Sequence, residues 1–390
     1  MAESQIWKRD DGKTRWEEDE IPYPRMNTTY PEFIFRTGAY LFSEIEGLPG
    51  VGAIWCSWIK NSVLFSVHAS PDHDIDLEYC TKNDVAIPFR PPVGGGVTWY
   101  DSSCASMCMA LRRDHPKCPS TTEELFRELF TAFADTIGSE FGLKTRFKPL
   151  NDIEIYCDDG VWRKISTAAG LPSPTQLSAG AGIQMKDVPW DIVDKIIIPP
   201  PEKFADKETK TLRDRSTCLS RELGRDVAPE ELEEVLKKAI MVKYDATLIP
   251  TKVYWENIPM YPGIRGMLTS DNWFYNRSEK FKFKDTPVTR GVKRGEVRLK
   301  IPQGPLVRAV VLTKENKIYN ILITGSLHTD PLIPETPIHA MERELQDAPI
   351  DKAIVRERVN KIFDTEGYEI SNTTVDDFTD VIMKACGLAK

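Results

Sequence analysis

Two prolines and three consecutive glycines stand together at Arg90-Pro91-Pro92-Val93-Gly94-Gly95-Gly96, and strand-forming residues follow directly. Glycine beside a strand costs backbone entropy and packs nothing. The run therefore implies either a sharp turn or the close approach of another molecule to bare backbone. Further along, Asn151-Asp152 opens a hairpin pattern that turns at Asp158-Asp159-Gly160 and closes on Lys164-Ile165-Ser166. A lysine just past a tight hairpin is a point cation delivered to a fixed place. The Asn-Asp pair offers a carboxylate for magnesium and an amide for a base or a phosphate. A glycine edge lets an extended ligand lie against main-chain groups. Together these are the parts needed when a carboxylate attacks the α-phosphate of ATP, because a fixed cation and magnesium stabilise the charge that develops. Singly, each has an ordinary explanation: a glycine triplet is a turn, and an exposed lysine is a solvated charge. Their order and spacing carry the reading.

The elements that must position these residues read as follows. A helix is expected near Glu32–Glu46. Two strands lie in "VGAIWCSWIKNSVLFSV" with a turn near Lys60-Asn61, a short helix in "DLEYCTKND", a strand in "VAIPFR" and another in "VTWYDSSCASMCMAL". The clearest helix is "STTEELFRELFTAFADTIGSEFG", in which Ser120 and Glu123 suggest a capping box and Leu125, Leu129, Phe133, Ile137 and Phe141 form a core stripe. A second begins near Pro229, a residue suited to a first helical turn. Composition then shifts to Pro, Gly, Asn and Lys. Three strands, "EVRLKI", "PLVRAVVLT" and "IYNILITG", and helices near 337–346, 350–364 and 373–387 make a small α+β unit. The expected division is an N-terminal arm over 1–28, a first domain over 29–250, a linker over 251–290 and a second domain over 291–390. The linker's Pro/Gly content suggests a hinge and domain positions that change with ligand.

The chain's 390 residues suggest two domains, and its charge of -8 argues against a general nucleic-acid binder. No apolar run approaches the ~20 residues of a membrane helix, so no membrane partner is expected. The charged N-terminus has no apolar signal core, so a cytoplasmic location is expected. Eight scattered cysteines read as reduced thiols, the one close pair, Cys104 and Cys108, having helical spacing. The five histidines form no HExxH or HxH pattern, so no structural metal site is expected.

"FRPPVGGGVTWYD", "NDIEIYCDDGVWRKISTAA" and "IPPPEKFADKETKTLRDRSTCLSRELG" occur in the order of the motifs of the lipoate–protein ligase A family, within the biotin/lipoate ligase superfamily. The tail "DNWFYNRSEKFKFKD … GEVRLKI … IYNILITGSL" is similar to the accessory domain of the long form. The resemblance covers about residues 30 to 387. It implies an α+β fold: a biotin/lipoate ligase-like mixed sheet flanked by helices, plus a small α+β C-terminal accessory domain. It also implies an ATP-dependent ligase that activates a lipoate-like acid as acyl-adenylate and passes it to a lysine of a lipoyl-domain or H-protein-like acceptor. Lys164 would bridge acyl carbonyl and α-phosphate. Gly94, Gly95 and Gly96 would floor the lipoate pocket with Arg90 nearby, Asn151 and Asp152 would hold nucleotide and Mg2+, and Ser166 would add a hydroxyl near the phosphate. The chain departs from the family at Pro91 (arginine), Tyr100 (histidine), Cys104 (asparagine), Ser66–Ser70, Thr167-Ala168 (Gly-Ser), and the phosphate-side loop "SPTQLSAGAG". Two alternatives stay open: a non-catalytic cofactor- or carrier-binding protein, and an ATP-independent acyltransferase using Cys104 with Lys164 as its activating cation.

Overall fold

The computed structural model describes residues 6–42, 51–149, 151–170, 175–199, 202, 211–287, 289–302, 304–333 and 335–390. One hydrophobic core joins a five-stranded sheet to two long helices. The sheet order is Ser166–Gly170, Gln176–Gln184, Cys104–Arg112, Val51–Trp58 and Arg25–Thr28; all neighbours are antiparallel except the last two strands. Helix Thr122–Phe141 buries Leu125, Leu129, Phe133 and Ile137 with Phe126 and Phe130 beside them, and helix Pro229–Tyr244 packs against it. A four-residue repeat makes that stripe because positions i and i+4 share one helical face. The cap is one residue later than the sequence suggests: Thr121 accepts from Glu124 N, and Ser120 N donates to the Glu124 carboxylate.

Two other sequence expectations change. The segment before residue 29 is not an arm. Trp7–Arg9 and Glu20–Tyr23 flank strand Thr247–Val253 on its two sides, and the Arg9 guanidinium is buried against Glu20 and Asp11. Within a segment whose other described charges are exposed, Arg9 and Glu20 form an internal ion pair. Thr247–Val253 itself extends past the expected domain limit; its Pro and Lys content hid a strand that pairs with the N-terminal segment. Cys104 and Cys108 lie on strand Cys104–Arg112, within the stretch where a strand was expected, and a spacing of four puts both on one face of the sheet.

A small sheet, Ile87–Phe89, Ser62–Phe65 and Val97–Tyr100, carries the glycine run between its outer strands. A second, Trp162–Lys164, Asp152–Tyr156 and Thr145–Lys148, carries the lysine hairpin. The C-terminal unit has its own core: the antiparallel sheet Lys293–Lys300, Leu306–Lys314 and Lys317–Gly325 backed by helices Pro337–Leu345, Lys352–Phe363 and Val375–Gly387. Residues 255–283, with short helices Tyr261–Leu268, Asp271–Phe274 and Glu279–Lys282, run between the two cores. They are fastened on both sides. Asp72 accepts from Ser278 Oγ and from Glu279 N (2.7 Å), and Arg277 makes a buried ion pair with Glu342 (2.7 Å).

Candidate active site

The glycine run is held from behind. Arg90 is fully buried, and its guanidinium donates to the carbonyls of Ser66 (2.7 Å), Val67, Ala69 and Phe274 (3.0 Å each). All its polar reach is spent on backbone that would otherwise be buried unpaired. Val67 N to Val93 O (3.0 Å) and Ser66 N to Gly96 O (3.1 Å) fix the two ends of the loop. Arg90 thus shapes the floor and does not line the cavity above it.

That cavity is a cleft of about 320 Å³, and Gly94, Gly95, Gly96, Asn151, Asp152 and Lys164 all line it. The hairpin does the positioning: Cys157 N donates to Val161 O (3.0 Å) and Glu154 pairs in register with Lys164, so the lysine sits on an edge strand facing the glycines. Lys164 Nζ forms an ion pair with Asp152 Oδ1, the side chains being 31% and 19% exposed. Asn151 Nδ2 donates to Ala168 O (2.6 Å), which orients its amide along the next strand. Ser166 is elsewhere. It is buried, and its hydroxyl accepts from Ile153 N (2.8 Å), joining two strands behind the wall.

Two contributions had no local signal in the sequence. Thr167 Oγ1 donates to Tyr100 Oη (2.7 Å), and Tyr100 lines both the cleft and an adjoining apolar pocket of about 80 Å³. Tyr30, Phe33, Ile34, Cys108 and Met109 form much of that pocket, and Tyr30, Val93 and Ala169 share the boundary with Tyr100. Gly180 belongs to its wall, where a Cβ would stand 2.3 Å from Cys108 Sγ. The accessory domain supplies the rest: Ser326, His328 and Asn372 line the cleft, some 160 residues or more beyond the lysine motif by number. A Cβ on Gly94 would meet His328 Nδ1 at 2.9 Å and Leu327 O at 3.0 Å, and Gly95, at φ +102°, donates its N–H to Leu327 O (2.8 Å). Burial, and then the charge of Lys164, push the His328 imidazole below its ordinary pKa while Asp152 pulls the other way.

The cysteines stand apart from this polar chemistry. Burial pushes the Cys108 thiol up to about 12 and Cys104 higher still, and Cys104 is not among the cavity-lining residues. Among the described residues neither thiol has the cation that lowers a nucleophile's pKa. Among the described residues no three His, Cys, Asp or Glu gather into a metal cluster. One carboxylate beside a cleft is nonetheless the donor set that Mg2+ accepts when phosphate oxygens and water complete its shell, so Asp152 fits that ion.

A mixed-sheet domain with a glycine loop facing a hairpin lysine, joined to a small accessory domain, is the biotin/lipoate ligase fold. Residues 32–241, more than half the chain, match the lipoyl protein ligase A/B catalytic domain, and the chain belongs to that family. It is similar to lipoate–protein ligase 2 of Staphylococcus aureus (22% identity over 237 residues, 57% of this chain and 66% of that protein, just under two thirds of its length). It is also similar to lipoate-protein ligase A subunit 1 of Thermoplasma acidophilum (24% over 230 residues, 57% and 79%). Among solved structures, P. falciparum LipL1 in complex with lipoate superimposes with a TM-score of 0.64 at 13% identity, covering 94% of this chain and 99% of that one. A lipoate-protein ligase A bound with ATP gives 0.54 at 14%, covering 66% and 98%. Among the described residues no helix is long and apolar enough to cross a membrane.

Proposed function

We propose that this protein is an ATP-dependent lipoate–protein ligase: it joins a lipoate-like carboxylic acid to AMP and passes the acyl group to a lysine of a lipoyl-domain or H-protein-like acceptor. The observation that carries the reading is one cleft lined by the glycine floor, Asn151-Asp152 and Lys164, opening at Tyr100 into an apolar pocket. In this reading the apolar pocket takes the acyl chain, and the Tyr100–Thr167 hydroxyls stand at its neck. The cleft takes the nucleotide against bare main chain at Gly94–Gly96. Lys164 supplies positive charge to the acyl carbonyl and α-phosphate as the carboxylate oxygen attacks phosphorus and pyrophosphate leaves. Asp152 would hold Mg2+, which neutralises phosphate charge. Arg90 and Ser166 act through the backbone they fasten, as positioning residues. The ATP-bound and lipoate-bound relatives support the choice of ligands.

Isothermal titration with ATP and Mg2+, with and without lipoate, on the wild type and Lys164→Ala, tests the proposal. ATP binding that lipoate strengthens and the substitution abolishes is the expected result. ATP binding indifferent to lipoate points to another acid. Absence of nucleotide binding overturns the ligase reading in favour of an ATP-independent acyltransferase or a non-catalytic carrier-binding protein.

A further inference from the structure

A ligase of this kind needs three approaches to one point: for the acid, the nucleotide and the amine. Among the described residues three cavities share Ala169: the apolar pocket, the polar cleft, and a third space of about 370 Å³ between the first turn of helix Thr122–Phe141 and the accessory domain. His328 stands where the third cavity meets the cleft and lines both; its ring makes no hydrogen bond among the described residues. On the accessory side of the third cavity, Asp330 and Glu369 are directly opposed across the two-stranded pairing of Thr329–Asp330 with Glu369–Ile370. Like charges in that relation destabilise a sheet. Burial and then Glu369 push the Asp330 carboxyl up, and Arg113 on the facing wall draws it back. Glu369 accepts from Ser371 Oγ (3.2 Å), and neither carboxylate forms an ion pair among the described residues.

We infer that this third cavity is the entry for the acceptor's lysine, with Asp330 and Glu369 receiving its ammonium before the amine passes His328 to the adenylate. The inference rests on the ligase reading above. A lysine side chain is a compact cation on a flexible four-carbon stem. It suits a cavity with a paired carboxylate wall, and its charge relieves the repulsion between Asp330 and Glu369. At the junction a C–N bond forms to the acyl carbon, the bond from that carbon to the phosphate oxygen breaks, and AMP leaves with its electron pair. The ammonium sheds one proton before attack and a second as the amide forms, both to water. The accessory domain is then part of the acceptor's path.

The test uses the full chain with ATP, Mg2+ and lipoate, and follows consumption of the adenylate by two nucleophiles: Nα-acetyl-lysine N-methylamide, which is cationic, and hydroxylamine, which is largely neutral at pH 7. Asp330→Asn/Glu369→Gln should raise the KM for the lysine amide by about tenfold, with hydroxylamine consumption and ATP–pyrophosphate exchange at wild-type rates. An unchanged KM for the lysine amide, or equal losses with both nucleophiles, overturns the entry path. If the double variant loses exchange, the same comparison is made on Glu369→Gln, whose side chain is exposed. Wild-type protein without exchange overturns the ligase reading itself, and this inference with it.

Discussion

Replacing Lys164 with alanine separates what that side chain does for the fold from what it does for the chemistry. Its partner Asp152 is partly solvated, as is the ammonium, at 19% and 31% exposure. Ion pairs in contact with water contribute at most about 1 kcal/mol. The backbone of Lys164 stays in place whatever the side chain, because it pairs in register with Glu154 and its carbonyl accepts from Thr217 N (3.0 Å). Loss of about 1 kcal/mol lowers Tm by about 2–4 °C in a domain of this size. The chemical cost is larger. Removing one preorganised donor from developing charge costs about 3–4 kcal/mol, or about 10²–10³ in rate. The assay is lipoate-dependent ATP–pyrophosphate exchange, run beside a thermal melt. Lys164→Arg, which keeps the charge but delivers it as a planar fork, should recover only part of the rate. An exchange rate within about threefold of wild type, where about 10²–10³ is expected, refutes the role given to the ammonium. A fall in Tm beyond about 8 °C, which implies roughly 2 kcal/mol or more, shows that the side chain is chiefly structural.

Gly94→Ala drives a methyl group onto His328 and Leu327 O of the accessory domain. Small-angle scattering should report a larger radius of gyration for this variant, and an unchanged curve with an unchanged Tm refutes the docking. Iodoacetamide at pH 8 should leave Cys104 and Cys108 unlabelled in native protein, because burial holds both thiols protonated. Labelling of Cys104 that lipoate prevents, seen by mass spectrometry, would instead favour the cysteine acyltransferase. Acid should loosen the two domains through their imidazoles. Burial first, then Arg277, keeps His68 and His339 below their ordinary values, and His68 Nε2 lies 2.9 Å from Thr329 Oγ1 of the accessory domain. The unfolded chain therefore binds more protons below the unfolded value. The contribution is complete above about pH 6.5 and declines as pH falls, by up to about 1.4 kcal/mol per pH unit for each imidazole. Urea melts that do not change between pH 7.5 and pH 5 refute it.

The motifs legible in the sequence were those whose signal is local. A tight turn at Gly160 forces the hairpin, the hairpin sets Lys164 across from Glu154 and within reach of the Asp152 carboxylate, and a periodic apolar stripe forces the helix behind them. What the sequence hid depends on contacts between distant segments. Arg90 and the glycines are adjacent in the chain, yet the guanidinium turns to carbonyls at Ser66–Ala69 and Phe274 while the glycines face the cleft. Ser166 and Thr167 alternate across a strand, so the family-motif serine points inward to Ile153 and its neighbour meets Tyr100. The N-terminal segment looked detached because its strands are only three or four residues long and their partner, Thr247–Val253, lies at the far end of the domain. No window of the sequence links His328 to Gly94.

The glycine run has two candidate reasons, a turn and a close approach, and the structure uses both in adjacent residues. Gly95 makes the turn at positive φ, and Gly94 takes the close approach, with the neighbour coming from the same chain. Leu327 and His328 lie on the bare backbone where a side chain at residue 94 would stand. The remaining room faces Lys164 and Asp152, and it stays open, at about 320 Å³, while the accessory domain is docked. A ligand entering from that side would meet the glycine floor without displacing the domain. A ligand that needs the face of Gly94 itself must displace Leu327-His328 and break the Gly95 N–H bond to Leu327 O. Only a ligand that reaches the face of Gly94 therefore competes with the accessory domain, because the two would need one uncovered stretch of main chain.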